Sequence, residues 1–109
     1  MTLLSDIDTA IDRMGSRDLY VEIARSFADA LPETENAIAD ALKRCAWPES
    51  RRLVHSLKSN CAAMGAEELR QRVYTLEMAC AEGNKDIAHS LFIPLRGDLH
   101  VLRDELLAL

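Results

Sequence analysis

Apolar residues recur at three- and four-residue steps along almost the whole chain, the spacing of one helical face, and no stretch alternates as a half-buried strand does. The chain is Ala- and Leu-rich and poor in β-branched runs, so every segment is predicted to be helical. A short helix is expected from Leu4 to Met14, with Ser5 and Asp6 as caps, before Gly15-Ser16 interrupts it. The next stripe, formed by Tyr20, Ile23, Ala24, Phe27, Leu31, Ile38, Ala41, Leu42 and Cys45, continues across Pro32. It predicts one kinked helix reaching about Cys45.

Trp47-Pro48-Glu49 signals a new start, because proline is tolerated in the first helical turn and an early carboxylate suits the positive end of the helix dipole. This third helix is predicted over 48–64 and ends at Gly65. Ala66-Glu67-Glu68 opens a fourth, with Leu69, Val73, Leu76 and Cys80 as its stripe and Gly83-Asn84 as its stop. The last segment, 85–109, carries Leu95, Leu99, Leu102 and Leu106, with Pro94 predicted to kink or split it. None of these helices can bury its apolar face alone. The expected fold is all-α: an antiparallel up-and-down four-helix bundle with a short extra N-terminal helix, built as one domain over 1–109.

Composition narrows the function classes. The chain has 13 Lys and Arg against 18 Asp and Glu, a formal charge of −5, which disfavours broad binding to nucleic-acid phosphates. No apolar run has the length of a membrane span, and the N-terminus lacks a basic region followed by an apolar segment, so a cytoplasmic protein without membrane contact is expected. The initial Met and the capped first helix favour a free-standing chain, and a monomer is expected. Cys45, Cys61 and Cys80 suit neither a disulfide framework nor the close ligand pairs of a zinc site, and read as reduced, buried small hydrophobes.

The informative stretch is Arg51-Arg52-Leu53-Val54-His55-Ser56-Leu57-Lys58-Ser59-Asn60-Cys61-Ala62-Ala63-Met64-Gly65. At about 100° per residue, Leu53, Leu57, Cys61 and Met64 form the predicted core face, with Val54 at its edge. Asn60 falls near that edge too, where a buried amide needs partners. His55 points nearly opposite. Around it lie Arg51, Lys58, Ser59 and Ala62, with Arg52 at the margin, because residues three, four and seven apart are helical neighbours. An uncharged imidazole has a nucleophilic lone pair on one ring nitrogen. The surrounding cations would stabilise a phosphoryl group attached to it, with Lys58 one turn away the best placed. The small side chains Ser59 and Ala62 would let another protein's active site approach. A surface histidine among bases is also commonly just solvated, and spacing alone does not separate the two.

The motif residues add to this. His55-Ser56-Leu57-Lys58 followed by small residues, then Met64-Gly65-Ala66-Glu67-Glu68-Leu69 and Leu76-Glu77, resembles the histidine-containing phosphotransfer (HPt) domain. That family's pattern is His-x-Leu-Lys-Gly-small-small, then Gly-Ala-x-x-Leu and Leu-Glu. Asp12-Arg13-Met14-Gly15, Tyr20, Phe27, Ala41-Leu42 and Trp47 extend the resemblance over nearly the whole chain. Ser59 stands where the family most often has glycine, and Asn60 where a smaller residue is usual.

The resemblance implies a phosphorelay carrier in two-component signalling. His55 accepts a phosphoryl group from a receiver-domain aspartate and passes it to another receiver, Lys58 stabilises the phosphoimidazole, and Gly65 serves the tight connection between the two motif helices. Arg51, Arg52, Ser59 and Ala62 are the expected docking residues. The implied partners are response-regulator receiver domains and a hybrid sensor histidine kinase. The chain is expected to have no cofactor of its own, magnesium belonging to the receiver, and to be no autonomous enzyme, since its length leaves no nucleotide-binding domain. The competing reading is a helical adaptor that docks on a receiver or kinase without being phosphorylated; the presence of both His55 and Lys58 argues against it. A metal role for His89 and His100, a Cys61–His55 nucleophile pair, and a triad around Ser56 all have weaker support. Tyr74 and Glu77 either rim the docking face or are merely solvated.

Overall fold

The computed structural model describes residues 2–109, leaving Met1 outside the described residues. The five helices are α1 (Ile7–Met14), α2 (Arg17–Lys43), α3 (Trp47–Met64), α4 (Glu67–Ala81) and α5 (Lys85–Leu107). No strand occurs among the described residues. Helices α2 to α5 form a closed ring in which α2 neighbours α3 and α5, and α4 neighbours α3 and α5, with no close backbone approach across the diagonals. Neighbours run antiparallel: Arg103 and Arg96 of α5 reach Ala28 and Asn36 of α2, and His55 of α3 meets Glu77 of α4. The all-α bundle with a short N-terminal helix is therefore the observed architecture. Its interior holds the expected stripes: Tyr20, Leu31, Ile38, Leu42, Leu69, Leu76, Leu95, Leu99, Leu102 and Leu106 are fully buried.

Helix ends follow local chemistry. Ser16 caps α2, its Oγ accepting the Leu19 amide hydrogen at 3.1 Å, and Asn84 does the same for α5 from Ile87 at 3.2 Å. The first helix begins later than Leu4. The amide groups of Leu3 and Leu4 donate to the Glu105 carboxylate instead, so residues 2–6 form a strap across the end of α5. Asp6 occupies the N-cap position without a side-chain capping bond, and its amide donates to the Gly65 carbonyl at 3.0 Å. Burial pushes the Glu105 carboxyl up, but the Thr2 hydroxyl and the two strap amides outweigh this and hold its pKa below the ordinary value.

Helix α2 runs unbroken through Pro32. A proline inside a helix leaves the carbonyl four residues earlier without its donor. Here that carbonyl belongs to Ala28, and Arg103 Nε donates to it at 3.0 Å. Helix α5 likewise continues through Pro94 and is not split.

The cysteine reading needs one correction. Cys61 and Cys80 are buried and free, whereas Cys45 is free but exposed. Helix α2 stops at Lys43, and Cys45 lies beyond its end at φ 54, a left-handed turn that takes the side chain off the helical stripe. Ile23, also placed on that stripe, is 38% exposed.

Candidate functional site

The site lies where α3 and α4 pack side by side. They are joined at Gly65, which sits at φ 81 and whose N–H closes α3 onto the Ala62 carbonyl. Only glycine suits the position on two counts: the left-handed conformation, and the lack of room for a Cβ, which would stand 2.6 Å from the Asp6 carbonyl oxygen. The tight turn sends α4 back along α3, and so sets which of their residues meet.

The core face of α3 is Ser50, Val54, Leu57, Cys61 and Met64, spaced by steps of four and three. Val54 is fully buried, while Leu53 is only half-buried, so at the start of the predicted face Val54 takes the place of Leu53, whereas Leu57, Cys61 and Met64 are buried as expected. Ser50 tolerates full burial because its Oγ donates to the Trp47 carbonyl at 3.2 Å. Asn60 is exposed, which removes the need for buried amide partners. Cys61 is closed to nucleophilic chemistry: burial pushes its thiol pKa up to about 12.

His55 is outward, with its side chain 59% exposed. Its Nδ1 lies 2.7 Å from Glu77 Oε2, and Lys58 Nζ lies 2.7 Å from Glu77 Oε1. One α4 carboxylate thus spans two α3 side chains. Burial pushes the Glu77 carboxyl up, yet the hydrogen bonds from Lys58 and His55, with the charges they bring, together hold its pKa below the ordinary carboxylate value. An ionised carboxylate only accepts, so the pairing assigns the ring proton to Nδ1. Nε2 is then the lone-pair nitrogen, and it has no protein partner among the described residues. The Lys58 ammonium also sits 5.0 Å from the centroid of the exposed Tyr74 ring.

The remaining predicted residues fall around this centre. Arg51 and Arg52 are exposed and, with Pro48, His55, Ser56 and Glu77, line a cleft of about 380 Å³. Ser59 is exposed, but its hydroxyl turns back to donate to the His55 carbonyl at 3.2 Å. Ala62 is half-buried, and its carbonyl accepts a hydrogen bond from Arg13 Nη2 at 3.1 Å. Among the described residues no group of three or more His, Cys, Asp or Glu could hold a metal ion, and no helix is long and apolar enough to cross a membrane.

Glu77 is the site residue that sequence reasoning left undecided. Two signals pointed to it: its place beside Leu76 in the Leu-Glu pair, and its position one turn before buried Cys80 of the same helix. Neither reveals its partners, which only the register of the α3–α4 hairpin brings into reach.

The Hpt domain family model matches residues 22–109, so the chain belongs to the Hpt domain family. Domains of this family are phosphocarriers in histidine phosphotransfer and interact with receiver domains and kinases. No curated protein and no solved structure matches the chain.

Proposed function

We propose that this chain is a phosphorelay carrier in which His55 accepts a phosphoryl group from the aspartyl phosphate of a receiver domain and passes it to another receiver. The observation that carries this reading is the Glu77 carboxylate held between His55 Nδ1 and Lys58 Nζ. It fixes the tautomer and leaves Nε2 as the exposed nucleophile. In the transfer, the Nε2 lone pair forms the N–P bond while the P–O bond to the aspartate breaks, and the aspartate leaves as a carboxylate. The ring becomes cationic because Nδ1 keeps its proton, and the Glu77 carboxylate compensates that charge. Lys58, one turn along, adds positive charge near the transferred group. Magnesium belongs to the receiver, and exposed Ser59 with the Arg51–Arg52 edge lies where that partner docks.

Incubation of the native protein with phosphorylated receiver domains tests this. The expected result is an acid-labile, base-stable label that His55→Ala abolishes. A label that survives His55→Ala overturns the reading, as does an unlabelled native protein whose receiver binding persists in His55→Ala, the behaviour of an adaptor.

A further inference from the structure

Lys58, the cation one turn after His55, is already engaged. Its Nζ is 2.7 Å from Glu77 Oε1 and 5.0 Å from the Tyr74 ring centroid, and its side chain is only 20% exposed. Arg51 and Arg52 differ in every respect. Both are exposed, both line the cleft onto which His55 opens, and neither has an ion-pair or hydrogen-bond partner among the described residues. They stand four and three residues before His55, hence on its face of α3 and one turn toward the helix start. Glu77 is the one carboxylate lining the same cleft, and both its oxygens are taken by His55 and Lys58. The unpaired charge of the cleft is therefore cationic.

Resting on the reading of His55 as the phosphoryl acceptor, we infer that Arg51 and Arg52 form a phosphoryl-oxygen subsite beside Nε2, in addition to the charge of Lys58, whose ammonium is already held by Glu77. Guanidinium groups suit such a subsite because their planar fork donates in pairs to phosphoryl oxygens, which a lysine ammonium does only as a point charge. The cleft volume of about 380 Å³ accommodates a small phosphoanion.

Phosphoramidate, a small donor that needs no docking surface, separates this subsite from partner recognition. Neutral His55 attacks its phosphorus through Nε2, the P–N bond breaks, and ammonia departs with the protons it already carried as the ammonio group. The product is Nε2-phosphoimidazole with Nδ1 still protonated. The Arg51→Gln/Arg52→Gln variant should be labelled about tenfold more slowly than the native protein, as expected for removing two cations near a transferring anion. Arg17→Gln/Lys85→Gln, with the same change in net charge outside the cleft, should lose less than about twofold. Circular dichroism melts confirm that each variant is folded. A second readout is the phosphorus resonance of the labelled proteins against pH: nearby guanidinium groups favour the dianion, so the native titration midpoint should lie below that of the arginine variant. Equal labelling rates for the two double variants, or coincident phosphorus titrations for native and arginine variant, overturn the subsite while leaving His55 as acceptor. Failure of the native protein to be labelled by phosphoramidate or by receivers overturns the carrier reading and the subsite together.

Discussion

Two buried glutamates in this bundle have opposite surroundings. Glu77, on α4, is 8% exposed and has both carboxylate oxygens in 2.7 Å hydrogen bonds, to His55 and Lys58. Glu35, on α2, is 1% exposed and neither oxygen has a hydrogen bond. His100 Nε2 and Arg96 Nε of α5 approach Glu35 Oε1 at 3.1 and 3.5 Å, but without hydrogen-bonding alignment. A buried carboxylate is costly unless its oxygens are satisfied, so burial alone does not make a carboxylate useful. What distinguishes Glu77 is that its partners include an exposed imidazole with one ring nitrogen left free. Glu35 fastens α2 to α5 through its close approach to Arg96 and His100, and Arg96 divides its donors between Glu35 and Asn36 Oδ1, the latter at 2.9 Å.

The largest effect is expected at the turn that creates the Glu77 arrangement. Gly65→Ala places a Cβ against the Asp6 carbonyl in a left-handed residue, and should cost about 2–4 kcal/mol in urea unfolding. A loss below about 0.5 kcal/mol would show that the turn relaxes freely and does not fix the hairpin register. Next, Glu77→Ala should slow phosphorylation of His55 about tenfold or more, the equivalent of one charge-assisted hydrogen bond. Glu77→Gln, which keeps one accepting oxygen, should fall between that variant and the native protein in the same rate assay. Glu35→Leu should leave the labelling rate unchanged and give stability between neutral and about 2 kcal/mol above native, because a poorly satisfied buried carboxylate is replaced by an apolar side chain. A strongly destabilised Glu35→Leu would mean that the two glutamates are more alike than their geometry shows. Arg103→Ala, which leaves the Ala28 carbonyl beside Pro32 without its donor, should cost about 1 kcal/mol by thermal unfolding.

The smallest effect is on pH dependence. The folded-state pKa of Glu77 lies below its ordinary value, so its contribution to stability is present above that ordinary value and is lost as pH falls through the lowered one. Glu105, held by the N-terminal strap, has the same sign. Acid titration of native stability should therefore be steeper than that of Glu77→Gln over this window. Superimposable profiles would remove Glu77 from the linkage.

The bundle was legible because its evidence is local and repeated: apolar steps of three and four, the breaks at Gly15-Ser16 and Gly83-Asn84, and Gly65 at the tight turn each announce themselves within a few residues. His55 was legible for the same reason, as the outward residue of an amphipathic helix. Glu77 was not, since its role depends on α4 returning along α3 in one particular register. Cys45 was misplaced because periodicity continues past a helix end that backbone conformation has already turned. Leu53 and Val54 exchanged places because a single-helix angle does not include the neighbouring helices that decide which side of an apolar pair is covered. Residues 4–6 read as the start of the first helix, yet Glu105, about a hundred residues away, binds the Leu3 and Leu4 amides.

The most direct test of the central claim is to locate the phosphorus in the phosphorylated native protein, by fragment mapping together with phosphorus–nitrogen NMR. Glu77 holding the Nδ1 proton predicts a single phosphohistidine, at His55, bonded through Nε2. Phosphate on His89 or His100, or on Nδ1 of His55, would contradict the account.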